Sequence, residues 1–149
     1  MNPSPEMKNR SAHYNFSIIE SFTAGVVLVG TEVKSLRQGK ASFNDAFCAF
    51  DGNELFLRNL HIPEYEYGTA NNHEAVRERK LLLNRQELKK MLKRTKEKGH
   101  TIVPLRIFFS ESGYVKIEIA LAKGKKTYDK RDGIKKRDMD RELKRSMKY

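Results

Sequence analysis

The residue types that most often hold metals are sparse and badly spaced for it. Four histidines, His13, His61, His73 and His100, never stand three or four residues from one another, and the one cysteine, Cys48, has no Cys-x-x-Cys partner. A zinc site needs several such ligands converging at fixed spacing, so none is expected. Gly124-Lys125-Lys126-Thr127 resembles the end of a phosphate-binding loop, but that loop requires glycine where Ile119 stands and Ser or Thr where Lys126 stands. No Gly-x-Ser-x-Gly or His-Glu-x-x-His occurs, and the carboxylates Asp138 and Asp140 fall in the polar tail, where they read as solvated charge. No catalytic set can be named, and no cofactor is implied.

The chemistry that remains is binding. Arg77, Arg79 and Lys80 stand directly before Leu81-Leu82-Leu83 and a lysine-rich segment, so a leucine facing solvent would place an apolar surface beside cations. RNA uses both, because phosphates meet the cations while unstacked bases or riboses rest on apolar surface. Lys123, Lys125 and Lys126 with Tyr128 repeat the combination near the C-terminus, where the ring could stack.

Charge supports that reading. The 149 residues carry +11, and two blocks, 77–98 and 123–149, each net +7 while the other hundred residues net −3. A charge excess kept for solubility would be spread evenly, whereas this one is concentrated as for contact with a polyanion. One cysteine, no apolar N-terminal run and no stretch near ~20 apolar residues favour a cytoplasmic protein without a membrane segment.

The elements that must position these residues read mostly as strands. Residues 16–29 are β-branched and aromatic around Ala24-Gly25, suggesting a strand bent or bulged at the glycine. Thr31 is the expected N-cap of a short helix over 32–37, ended near Gly39. Residues 43–50 and 54–62 read as strands joined at Asp51-Gly52-Asn53, a turn suited to positive φ. Residues 77–83 read as a turn or strand, and 64–73 as a loop. Asn84 with Glu87 forms a capping box, starting a helix whose Leu88, Met91 and Leu92 share a face and which Gly99 would end. Residues 101–109 form a strand with Pro104 at an edge or bulge, and 115–121 alternate with period two. Domain limits follow as a flexible lead-in over 1–8, a core over 9–122 and a basic tail over 123–149. The fold class is mainly β with short helices, an antiparallel barrel; pattern alone leaves OB-type and SH3-like barrels both open.

Three long motifs then resemble one family: AGVVLVGTEVKSLRQGK at 24–40, RKLLL at 79–83 and AKGKKTYDKR at 122–131. Their types and order are similar to those of SmpB, the SsrA-binding protein family, over residues 9–136. The resemblance implies an OB-fold core that binds the tRNA-like domain of transfer-messenger RNA (tmRNA) in place of the missing anticodon arm. It implies entry, as a monomer with elongation factor Tu, into the vacant A site of a stalled ribosome, with the tail in the empty mRNA channel beyond the decoding centre. Carried over by position, Asn9, Arg10, Arg79, Lys80, Leu82, Lys116, Lys123, Lys125 and Lys126 are implied RNA-facing residues. Tyr128, Asp129, Lys130, Arg131, Gly133, Ile134, Lys135 and Lys136 are the implied ribosome-binding part of the tail. The family's often acidic position before Ala24 is Thr23 here, so a carboxylate hydrogen bond to RNA at that point would be lost or weakened. The alternative classes are a general OB-type RNA-binding or ribosomal protein and, without an acid, base or metal set to support it, an enzyme acting on RNA.

Overall fold

Val115, Ile117, Ile119 and Leu121 alternate with Lys116, Glu118 and Ala120, and a strand turns every second side chain to one face. The computed structural model, which describes residues 5–68, 72–97 and 99–125, places the first set in the core. They belong to β7 (Val115–Gly124), the last of seven strands among the described residues. The others are β1 (Met7–Lys8), β2 (Phe16–Val26), β3 (Phe47–Asp51), β4 (Glu54–Arg58), β5 (Arg79–Leu82) and β6 (His100–Phe109). Three helices interrupt them: α1 (Ala12–Asn15), α2 (Gly30–Arg37) and α3 (Arg85–Thr95).

All pairings are antiparallel, and they close a ring running β2, β5, β4, β3, β6, β7 and back to β2. Closure leaves the ring no free edge along which another chain could pair, the solution of small OB-type barrels. It is narrowest between β3 and β6, where Cys48 faces Ile102 alone. Burial there pushes the Cys48 thiol well up, so the group packs as an inert apolar side chain. Leu55, Leu57, Leu60, Ile62, Leu81, Ile107, Ile117 and Ile119 fill the interior. Met91, on the apolar face of α3, is fully buried among them.

Several boundaries differ from those read in the sequence, each for a local reason. The lead-in ends earlier: Met7 and Lys8 pair with Ile107 and Arg106, and Met7 is buried in the core. The tail begins later, because β7 runs to Gly124, with Lys123 opposite Ser17 and His100. The irregularity of β2 falls between Ile18 and Glu20, while Gly25 pairs regularly with Lys116 and Leu82. α2 starts at Gly30, so Thr31 lies in its first turn and its hydroxyl meets His73 Nδ1 at 2.9 Å rather than capping. Gly39 does end that helix, at φ 74° with its N–H on the Leu36 carbonyl. α3 stops at Thr95, short of Gly99. β3 starts at Phe47 because residues 43–46 form a turn, and β4 stops at Arg58 because Asn59 takes φ 62°. Pro104 marks a bulge inside β6, not an edge strand.

β7 also buries its second face in part. Ala120 and Ala122 pack with Val103, Leu105 and Ala12, and their small side chains let α1 lie against the sheet. The capping box of α3 is formed as read, with the Glu87 N–H donating to Asn84 Oδ1 at 2.8 Å and the Asn84 N–H to Glu87 at 3.4 Å. Asn84→Ala is expected to cost about 1 kcal/mol, read as a lowered urea midpoint at unchanged slope.

Candidate nucleic-acid interface

Along β5 the side chains alternate, so Arg79 and Leu81 turn inward while Lys80 and Leu82 turn outward. Leu82 is 51% exposed, unlike Leu81 at 2%. It stands over Gly25 of the neighbouring strand, where an added Cβ would meet Leu82 Cβ at 3.4 Å and Lys116 Nζ at 3.8 Å. The missing side chain therefore leaves the Leu82 methyls and the Lys116 ammonium open to the same space. That space is a depression of about 350 Å³, to which Leu28, Val33 and Tyr114 also contribute. Val27, Val29 and Tyr114 extend the exposed apolar surface around it. Lys116 has no ion-pair partner among the described residues. A cation with free donors beside exposed leucine and tyrosine suits a phosphate next to a base or ribose.

Leu82→Ala removes an exposed side chain, so the melting temperature should stay within about 2 °C while affinity for RNA falls about tenfold, the effect of losing the apolar surface that a base or ribose would cover. A large drop in melting temperature would instead assign Leu82 to the core.

The implied RNA-facing residues separate into groups. Lys116 and Lys123 lie on one strand but roughly 23 Å apart at ~3.3 Å per residue. Lys123 lies beside Gly99, whose added Cβ would meet its Cε at 3.6 Å. Lys125 closes on α1, with its N–H on the Asn15 carbonyl and Nζ donating to the His13 carbonyl at 3.1 Å. Arg10 is exposed on the same side and has no partner among the described residues. Asn9 is half-buried and its side chain is used internally: Nδ2 donates to the Pro104 carbonyl at 2.8 Å and Oδ1 accepts from Ser11. Lys80 pairs with Glu54 at 3.2 Å, a surface pair of small energetic weight that a phosphate can displace. Lys126, Tyr128, Asp129, Lys130, Arg131, Gly133, Ile134, Lys135 and Lys136 lie outside the described residues.

Arg79 is a correction. Its side chain is wholly buried, with Nε on Glu32 at 2.5 Å and the remaining nitrogens donating to the Leu60 and Ala75 carbonyls. All of its donor groups serve the interior, so it cannot also meet RNA. Glu32, buried too, accepts from Arg77 at 2.6 Å and from the Val29 N–H at 2.9 Å. Burial alone would raise its pKa, but the hydrogen bonds from Arg77 and Val29 and the charge of Arg79 outweigh it and hold the carboxyl below its ordinary range. Arg77 also donates to the Val27 carbonyl at 3.2 Å, so this network fixes the 27–32 segment beside β5. Val27, Val29 and Tyr114 were missed as site residues. Val27 and Val29 follow the end of β2, and only the folded chain shows that nothing covers them.

A closed, basic OB-type barrel with an open apolar and cationic ledge is the fold and surface of an RNA-binding protein. The family model described as SmpB protein matches residues 6–149. The SsrA-binding protein of Phocaeicola vulgatus is 52% identical over 99% of both chains, and that of Flavobacterium psychrophilum is 54% identical over 94% of this chain and 93% of the other. A chain of the solved structure "tmRNA-SmpB: a journey to the center of the bacterial ribosome" is 44% identical, with TM-score 0.73, over 88% of this chain and 95% of its own. The chain belongs to the SmpB family.

Proposed function

We propose that this protein binds the tRNA-like domain of tmRNA and is required for delivery of that RNA to stalled ribosomes in trans-translation. The observation that carries the reading is a match to SsrA-binding proteins along essentially the whole chain. The ledge of Leu82 and Lys116 supplies a chemistry that suits it. Arg10, Lys80, Lys123, Lys125 and Lys126 add phosphate contacts, and Asn9 acts as a positioning residue that holds the turn bearing Arg10 against β6. The barrel stands in for the anticodon arm, and the tail from Tyr128 to Lys136 occupies the empty mRNA channel of the small subunit. The protein acts as a monomer beside elongation factor Tu, in the cytoplasm where ribosomes are, and without catalysis or cofactor of its own. Among the described residues no helix is long and apolar enough to cross a membrane.

The test is a titration against the tRNA-like domain and against an ordinary tRNA at several salt concentrations. Binding through phosphates alone falls with a log-log slope of roughly −0.7 to −0.9 per contact, alike for both RNAs. Tight binding to the tRNA-like domain that survives salt, with ordinary tRNA lost, is the expected result. Equal binding that collapses together would make the protein a general electrostatic RNA binder and overturn the proposal.

A further inference from the structure

At the end of the barrel opposite the Leu82 ledge, a depression of about 600 Å³ lies between the 43–46 turn, Asn59 and the start of β2. Phe43 and Phe47, both half-buried, form part of its wall. The side-chain amides of Asn15, Asn44 and Asn59, and the Asp45 carboxylate, also line it, and none of the four makes a hydrogen bond among the described residues. Lys125 lies at its rim, and Asn9, which borders it, carries Arg10 next along the chain.

Two lining residues hold backbone conformations that glycine would adopt more easily. Asp45 and Asn59 both have φ 62°. In the turn closed by the Ala46 N–H on the Phe43 carbonyl, Asp45 occupies the third position, where positive φ selects glycine first. Asp and Asn tolerate that region better than other residues, yet neither side chain is used to brace its own turn.

We infer that this depression is a second RNA site that takes one unpaired base, guanine above the others. The inference rests on the RNA-binding reading above and adds a base-specific contact to it. Aromatic edges and free amides are the means by which proteins hold a splayed base and read its hydrogen-bonding edge. A carboxylate accepts from two adjacent donors, and among the four bases guanine alone offers an adjacent ring N–H and amino group. The amides supply donors for its O6 and N7. Lys125 at the rim meets a flanking phosphate. A nucleotide meets the carboxylate with its base and the rim cation with its phosphate, in keeping with the RNA-binding reading above.

The experiment titrates the full-length, isotope-labelled protein with the trinucleotides UGU, UAU and UUU, and the same preparation with the tRNA-like domain. UGU is expected to move the side-chain amide signals of Asn15, Asn44 and Asn59 and to bind about tenfold more tightly than UAU or UUU, the discrimination of one bidentate contact. Asp45→Gly suits the positive φ, so it should keep or raise the melting temperature while erasing the preference for UGU. Equal affinities for the three, no detectable binding, or a preference unchanged in Asp45→Gly would overturn the inference. If the tRNA-like domain still binds in such a case, only this site falls; if it does not bind either, the proposed function falls with it.

Discussion

Arg79→Leu should destabilise the protein by about 3–5 kcal/mol, the usual cost of removing one partner from a buried ion pair. The cost has three parts here. Glu32 would keep only Arg77 as a charged partner, and Arg77 is itself partly exposed. The Leu60 and Ala75 carbonyls would lose their donor. The buried carboxylate would then have to ionise with less compensation than in the native protein. Against a total of roughly 5–15 kcal/mol for a domain, that loss removes a large part of the stability. Urea denaturation measures it, and a change under about 1 kcal/mol would show that the pair is dispensable to the barrel. The charge-neutral double variant Glu32→Gln with Arg79→Leu should recover part of the loss, because no charge is then left buried.

The same network sets an acid limb. The Glu32 carboxyl is held below its unfolded value near ~4.3, so the unfolded chain binds its proton first as pH falls. The stability tied to this group is complete above the unfolded value and is lost as pH falls through the lower folded value. Wild-type protein should therefore lose stability below about pH 4.3 more steeply than Glu32→Gln does. Parallel acid limbs would mean that other carboxylates set the slope.

This network was not legible in the sequence, and the reason is physical. Arg79 stands in a run of cations, and parity along β5 alone assigns it to a face without saying that the face is interior. What buries it is Glu32, 47 positions earlier, a pairing between α2 and β5 that no local pattern encodes. The alternating β7 and the capped α3 were readable because each is specified within a few residues by period or by cap. Asn59 and Asp45 shortened their strands through positive φ, which both residue types tolerate without requiring. Lead-in and tail limits moved because Met7 and Lys123 find partners in distant strands. Leu82 could be narrowed to one of three leucines by composition, but its neighbours on β2 and β7 had to be seen before the ledge was defined.

Reversing the charges of Asp129, Lys130 and Arg131 together should lower peptide tagging on ribosomes stalled at an mRNA lacking a stop codon by about a hundredfold or more, the effect of losing hydrogen-bonded charge contacts. Affinity for the tRNA-like domain should change by less than about threefold, since the barrel cations and Leu82 are untouched. The carboxylate makes the case. A tail used only as a polycation would be better without Asp129, which phosphates repel, whereas an aspartate beside Lys130 and Arg131 suits donors on base edges or a protein. Asp129→Lys alone raises the net charge by two. If the tail is only an electrostatic handle, this variant binds ribosomes more tightly and tags at least as well. On the proposed role it binds non-specifically at least as well but tags poorly, because cations added to the channel do not replace the lost acceptor. Tagging in a purified translation system, measured beside dissociation constants for the tRNA-like domain and for vacant ribosomes, separates the two, and unimpaired tagging by Asp129→Lys would remove the specific role assigned to this triplet.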